Sequence, residues 1–357
     1  MDLFAPLTLG DLDLPNRLVM APLTRSRSRV DGVPNDDVVE YYRQRASMGL
    51  IVSEGTYPSQ TGQGFVRQPG LVTDEQVAGW KRVTDAVHAE GGLIIAQVMH
   101  AGRVTHPDIT GTDDIVAPSS IAVDGTTRTY TGKQPYPAPR SLGTSELAGI
   151  VEEFVQASNN AIAAGFDGVE LHGANGYLLH EFLAPSANTR TDAYGGSPEN
   201  RARLVIEVAT AVAGAIGAGR TSLRISPEHN VQSTLEEDHD DVAATYGALV
   251  DGIAPLGLSA LSILHREPTG ELAQDLRSRF GGPVLLNSGF AAITTVEDAR
   301  ELTSSGWGDA VVVGRPAIAN PDLVRRWRED LPLNEPNQAT FYTEGPTGYI
   351  DYPFWQN

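Results

Sequence analysis

The sequence predicts an α/β fold, a (β/α)8 TIM barrel, on three observations. Eight short apolar runs recur along 357 residues, helical patterns separate them, and every run ends in polar residues or glycine. Runs rich in Leu, Val and Ile suit parallel strands covered on both faces. Eight strand–helix alternations are the pattern of a closed barrel, with its chemistry gathered at the C-terminal strand ends. An open doubly wound sheet usually has fewer units and an early G-x-G-x-x-G fingerprint, and the chain has no such motif.

The strands in order are LVMAPLT (18–24), LIVSEGT (50–56), LIIAQVMH (93–100), GVELH (168–172), TSLRISP (221–227), ALSILH (260–265), PVLLNSGF (283–290) and DAVVVGR (309–315). Helical patterns fill 35–48, 75–90, 145–164, 198–216, 240–254, 271–280, 295–304 and 321–329. Ser197 before Pro198 reads as an N-cap with proline at the first helical position, and Gly91, Gly165, Gly217 and Gly306 read as helix stops. Residues 1–17, with Gly10 and Pro15, predict a hairpin that closes the barrel floor. The Thr-, Pro- and Gly-rich stretch at about 101–143 follows the third strand, which predicts a lid-like insertion on the active-site face; a disordered insertion is the alternative. With a tail from about 330 to 357, the whole of 1–357 reads as one domain.

Composition narrows the function. The chain has no cysteine, which removes disulfides, thiolate-bound zinc, iron–sulfur clusters and a thiol nucleophile. A net charge of −19 argues against a nucleic-acid partner, and an anionic ligand would need a local device to hold it. No run is long enough to span a membrane, and the N-terminus lacks the pattern of a signal peptide, so the expected location is cytoplasmic.

The strand ends supply the candidate site: Thr24, Glu54 with Gly55, Gln97 with His100, His172, Arg224, His265, Asn287 with Gly289, and Gly314 with Arg315. Glycines after strands 7 and 8, joined by Arg315, suit a phosphate. Arg224 either pairs with a carboxylate such as Glu170 or Glu54, or faces a cofactor that becomes anionic when reduced. Thr24 and Gln97 can read the edge of a flat heterocycle. A metal site built from His172, His180 and Glu181 has the wrong spacing, and no serine sits in a nucleophile elbow. A lone histidine is most often a satisfied core residue; here the combination matters. His172 and Asn175 can both donate to one carbonyl oxygen, and Tyr177 can deliver a proton to carbon. The missing reagent is a hydride, which only a cofactor supplies.

These residues resemble the old yellow enzyme family of flavin-dependent ene-reductases. The resemblance spans nearly the whole chain: LPNRLVMAPLTR (14–25), AQVMHAGR (96–103), GVELHGANGYLLHEFLAPSANTRTDAYGGSPENRAR (168–203), LRISP (223–227), VVVGRPAIANPDLVRR (311–326) and GYIDYP (348–353). It implies non-covalent FMN in the barrel mouth. Thr24 would bond the flavin carbonyl, Pro22 and Gly55 would lie along the ring, Gln97 would read its pyrimidine edge, and Arg224 would stabilise the reduced form. Gly289, Gly314 and Arg315 would hold the phosphate.

It further implies that NADPH or NADH is the reductant and a small electron-poor alkene the substrate. His172 and Asn175 would clamp the substrate oxygen, Tyr177 would protonate the α-carbon, and Phe65, Met99 and Tyr349 would line the pocket. Met99 stands where many relatives carry Trp, Phe65 where many carry Tyr, and Gly55 where Ala is common, so substrate range is the open property. A related flavin barrel acting on dienoyl thioesters or amines, or a non-catalytic flavin binder, is the alternative. The implied assembly is a monomer or homodimer, with neither nucleic acid nor membrane as partner.

Overall fold

The computed structural model describes residues 1–356. Eight parallel strands close a barrel: β1 (Leu18–Met20), β2 (Leu50–Val52), β3 (Ile94–Val98), β4 (Gly168–Gly173), β5 (Thr221–Ile225), β6 (Ala260–Leu264), β7 (Val284–Asn287) and β8 (Ala310–Val313). Each is three to six residues long and wholly buried. The strands are shorter than the apolar runs suggest, because the polar ends leave the ladder and turn into the mouth.

Alternation along each strand decides what faces inward. Leu18, Met20, Ile51, Val169, Leu171, Leu223, Ile225, Val311 and Val313 join the large core shared with the surrounding helices. Their neighbours Val19, Leu50, Val52, Ile95, Leu285 and Val312 join a second cluster inside the barrel. Leu9, Leu12 and Leu14 complete that inner cluster. They come from the expected N-terminal hairpin, Leu7–Leu9 against Leu12–Leu14, which Asp11 N–H pins to the Gly219 carbonyl at 3.0 Å. The floor is therefore a plug of leucines.

Helices follow the strands as expected, among them Asp74–Ala89, Leu147–Ala163, Pro198–Ile216 and His239–Ile253. Ser197 caps Pro198–Ile216, its side chain accepting the Asn200 N–H. The four predicted glycine stops all follow their helices with positive φ. Outside the insertion, two short helices have no counterpart in the sequence reading: Leu178–Leu183 after β4, and Arg315–Ala319 directly after β8. The first hides behind an apolar run that continues the strand, and the second is too brief for a periodic signal. The insertion is folded rather than disordered, with a helix at Pro107–Thr110, a strand pair Val116–Ala117 with Arg140–Ser141, and a hairpin Thr126–Thr129 with Gly132–Pro135. No helix among the described residues is long and apolar enough to cross a membrane.

Candidate active site

A cavity of about 610 Å³ opens at the C-terminal ends of the strands. Its lining includes Pro22, Thr24, Gln97, Arg224, Gly289, Gly314, Arg315, His172, Asn175, Tyr177, Phe65 and Met99, so twelve positions scattered over most of the sequence meet at one mouth. Gln97, His172 and Arg224 stand on β3, β4 and β5, the part of the barrel where inward positions are not leucine or valine.

On that half, Gln97 Nε2 donates to Glu170 Oε1 at 2.8 Å and lies 3.4 Å from His172 Nδ1. Arg224 is buried, donates from Nη1 to Ser262 Oγ at 3.0 Å, and leaves Nε without a partner. Burial presses the Arg224 guanidinium down from its usual pKa, and the Glu170 charge opposes that. Burial raises the Glu170 carboxyl, restrained by Arg224 and Gln97. Glu54 is not the partner of Arg224; its Oε2 accepts the Arg25 N–H at 3.1 Å. Arg224 thus has a carboxylate neighbour and an unspent donor.

Burial first, then the Arg224 charge, holds His172 far below its ordinary pKa. The imidazole is neutral, and with Nδ1 facing the Gln97 amide the ring proton sits on Nε2 as a donor. The next residues form a tight turn in which Asn175 and Gly176 take φ of +58° and +78°. Asn175 N–H donates to Ser226 Oγ at 2.8 Å, and its buried Oδ1 has no partner. The turn brings the Tyr177 ring to 5.2 Å from that of His172 and edge-on to Phe65 at 6.2 Å. Burial raises the Tyr177 phenol well above the usual range, so it keeps its proton throughout the physiological range.

Tyr177 and Met99 also pack with Val104, Val123 and, from the insertion, Tyr136. This forms an apolar wall beside the polar one. Gly55 does not reach the cavity lining: a Cβ there would lie 2.7 Å from Met99 Sδ, so Met99 stands between it and the mouth. Tyr349, expected at the pocket, is likewise set back from this lining. It is 0% exposed and lies outside the lining, stacked on Tyr41 at 4.1 Å with Arg25 and Arg27 over its ring.

The C-terminal segment does line the cavity, through Gln338, Phe341 and Tyr342. Arg25 Nε and Nη2 donate to the carbonyls of Phe341 and Gly348. Arg27 donates to those of Thr340, Phe341, Gly345 and Thr347. Sequence reasoning brought the tail to the pocket through Tyr349 but missed these three residues, whose upstream anchors lie in the run of arginines just after the first strand, LTRSRSR (23–29). At the other end, Arg315 Nη2 donates to the carbonyls of Phe290 and Ala292 and so holds the loop after β7.

The donor set suits a flat heterocycle with an anionic tail. An amide and a partly unpartnered buried cation stand on one side, and two glycine backbones and an arginine at the far end. Barrel and mouth together suit an oxidoreductase of the cofactor-dependent kind. The chain belongs to the NADH:flavin oxidoreductase / NADH oxidase family, whose sequence pattern matches residues 2–334.

Among its relatives is a probable flavin mononucleotide-dependent alkene reductase of Leishmania infantum, 42% identical over 98% of this chain and 96% of the relative. A second is 12-oxophytodienoate reductase 1 of Oryza sativa subsp. japonica, 40% identical over 99% of this chain and 93% of the relative. The old yellow enzyme homologue of Zymomonas mobilis superposes with a TM-score of 0.94 at 40% identity, covering 99% of each chain. Morphinone reductase in complex with tetrahydroNAD gives 0.93 at 43% identity, covering 100% of this chain and 98% of that one. The resemblance to old yellow enzymes and the expected barrel are both borne out.

Proposed function

We propose that this protein is an FMN-dependent ene-reductase that oxidises NADPH or NADH and reduces an electron-poor alkene such as an enone, nitroalkene or maleimide. One observation carries the reading: His172, Asn175 and Tyr177 meet a buried Arg224 with an unspent donor around a single cavity, in a chain of a flavin oxidoreductase family. Two relatives named as reductases of alkenes and of 12-oxophytodienoate support a C=C acceptor.

Bound FMN would supply the hydride, taken from the nicotinamide and delivered to the β-carbon of the alkene. Pro22, Thr24 and Gln97 would hold its ring, Arg224 would face its negative charge, and Gly289, Gly314 and Arg315 would hold its phosphate. His172, neutral and donating from Nε2, acts with the Asn175 amide on the substrate oxygen and draws electrons from the β-carbon. Burial, reinforced by the Arg224 charge, keeps that imidazole from protonating, so the clamp polarises the oxygen without competing as an acid. Tyr177 keeps its proton for the α-carbon, where a carbanion-like centre is basic enough to take it. Met99, Phe65 and Tyr136 shape the site and keep water from the reacting carbons.

The test is direct. Purified protein supplied with FMN should be yellow, bleach with NADPH without oxygen, and recover its colour on adding cyclohexenone. Protein that takes up no FMN, or a bleached form that ignores every activated alkene, would end the proposal.

A further inference from the structure

The turn that carries the clamp and the proton donor is fixed through the backbones of Asn175, Gly176 and Tyr177. Asn175 is held twice, its N–H on Ser226 Oγ at 2.8 Å and its carbonyl under Gln232 Nε2 at 2.9 Å. Tyr177 is tied within its own turn and the short helix that follows, its N–H to the Ala174 carbonyl at 3.3 Å and its carbonyl accepting the Glu181 N–H at 2.8 Å. Between them, Gly176 N–H donates to His180 Nδ1 at 2.8 Å. His180 is fully buried, and its Nε2 stands 3.1 Å from Glu236 Oε1. Glu236, 4% exposed, is held in turn by Tyr246 Oη at 2.9 Å and by the Glu228 N–H at 2.8 Å.

An Nδ1 that accepts the Gly176 N–H carries no proton, so the ring proton is on Nε2, which stands 3.1 Å from Glu236 Oε1 without hydrogen-bond alignment. A carboxylate behind an imidazole fixes tautomer and ring orientation, as it does behind metal-bound histidines. We propose that His180 and Glu236 are positioning residues for the reaction. Neither lines the cavity. Glu236 locks His180, and His180 locks the Gly176 amide, which sets the reach of the Tyr177 phenol. Asn175 keeps its two anchors on Ser226 and Gln232 when this support is lost, whereas the Tyr177 backbone is bonded only within the turn and the helix that carries His180, so the proton donor moves more than the clamp. The inference rests on Tyr177 being that donor, and the experiment separates the two ideas.

The measurement is rapid mixing of FMN-loaded protein, with reduction by NADPH and reoxidation by saturating enone followed separately. Misplacing a reacting group by an ångström costs about 10²-fold in rate. His180→Phe and Glu236→Met are therefore expected to slow reoxidation by about 10²-fold. Reduction by NADPH and affinity for a simple phenol, both readings of the clamp, should change little. His180→Asn keeps an acceptor near the Nδ1 position and should recover most of the rate, whereas His180→Gln, whose amide reaches the Nε2 position instead, should not.

Equal slowing of both half-reactions, or a lowered melting temperature with both rates intact, would overturn the inference. Should His180→Phe not fold, the Asn and Gln variants decide it, and equal reoxidation rates in those two reject it. Tyr177→Phe serves as the reference. If that variant reoxidises normally, the proton-donor reading itself fails, whatever His180 does.

Discussion

Arg27→Met is expected to loosen one wall of the active site while leaving the barrel intact. Arg27 is 3% exposed, and its guanidinium donates to four carbonyls of the segment 340–347 and to Thr343 Oγ1 at 3.2 Å. Methionine keeps the stem and removes all five of these bonds. The two bonds from Arg25 remain, to Phe341 and Gly348. A hydrogen bond from a charged donor contributes about 1.5–3 kcal/mol net when broken alone. The segment is half-exposed, so water takes over most of the released carbonyls, and the set as a whole contributes no more than one or two such bonds. About 3 kcal/mol of local stability is then lost, or about 10²-fold in opening equilibrium. Hydrogen exchange by mass spectrometry should show peptides across 338–350 exchanging about 10²-fold faster, with barrel-strand peptides unchanged. KM for enones should rise because Phe341 and Tyr342 line the cavity. Unchanged exchange in 338–350, or acceleration spread evenly over the chain, would refute the reasoning.

Three further outcomes follow from the site. Tyr177→Phe should slow reoxidation by enone by about 10²–10⁴-fold and spare reduction by NADPH, as loss of a general acid does; stopped-flow absorbance of the flavin reads both. Gly55→Ala should displace Met99, because the new Cβ lies 2.7 Å from Sδ and 3.3 Å from Cβ of that residue. The thioether can swing away, so the cost is about 1 kcal/mol, the low end for overpacking, and a double-mutant cycle with Met99→Ala should remove it. Glu181 is buried with Oε2 unpartnered, and its carboxyl is pushed up to about 8 from 4.5. The folded state holds a proton that the unfolded chain has lost, so this group's contribution is full below pH 4.5 and declines as pH rises toward 8. Glu181→Gln keeps an acceptor for the Arg103 N–H and should gain stability over the parent as pH rises through that window, read as melting temperature against pH.

How much of this was legible in the sequence depends on separation along the chain. The strands were readable because strands covered on both faces are apolar throughout, and their outward residues Val169 and Leu171 bracket the inward Glu170. His172, Asn175 and Tyr177 were readable because one turn holds all three within six residues. The C-terminal wall was not: Arg27 and Thr340 are 313 residues apart, and no local pattern links a guanidinium to backbone carbonyls. Tyr349 shows the same limit from the other side. Its place beside the mouth follows from the GYIDYP motif, but the direction of its ring is set by Tyr41 and two arginines far upstream. Tyr136 escaped notice because its insertion has neither period, and only packing against Tyr177 gives it a role.

The grip of Arg25 and Arg27 on residues 340–348 also imposes a timetable. At about 5–20 residues per second, ribosomal synthesis takes roughly 15–60 s to pass from the two arginines to their acceptors. By its end every barrel strand has been synthesised, yet until the segment docks one side of the mouth stands open and two guanidinium groups lack these acceptors. The pocket is thus finished last, by a segment that contributes no strand to the barrel. Loading the cofactor before that segment docks and loading it afterwards are two different routes, one through an open side and one through a completed entrance.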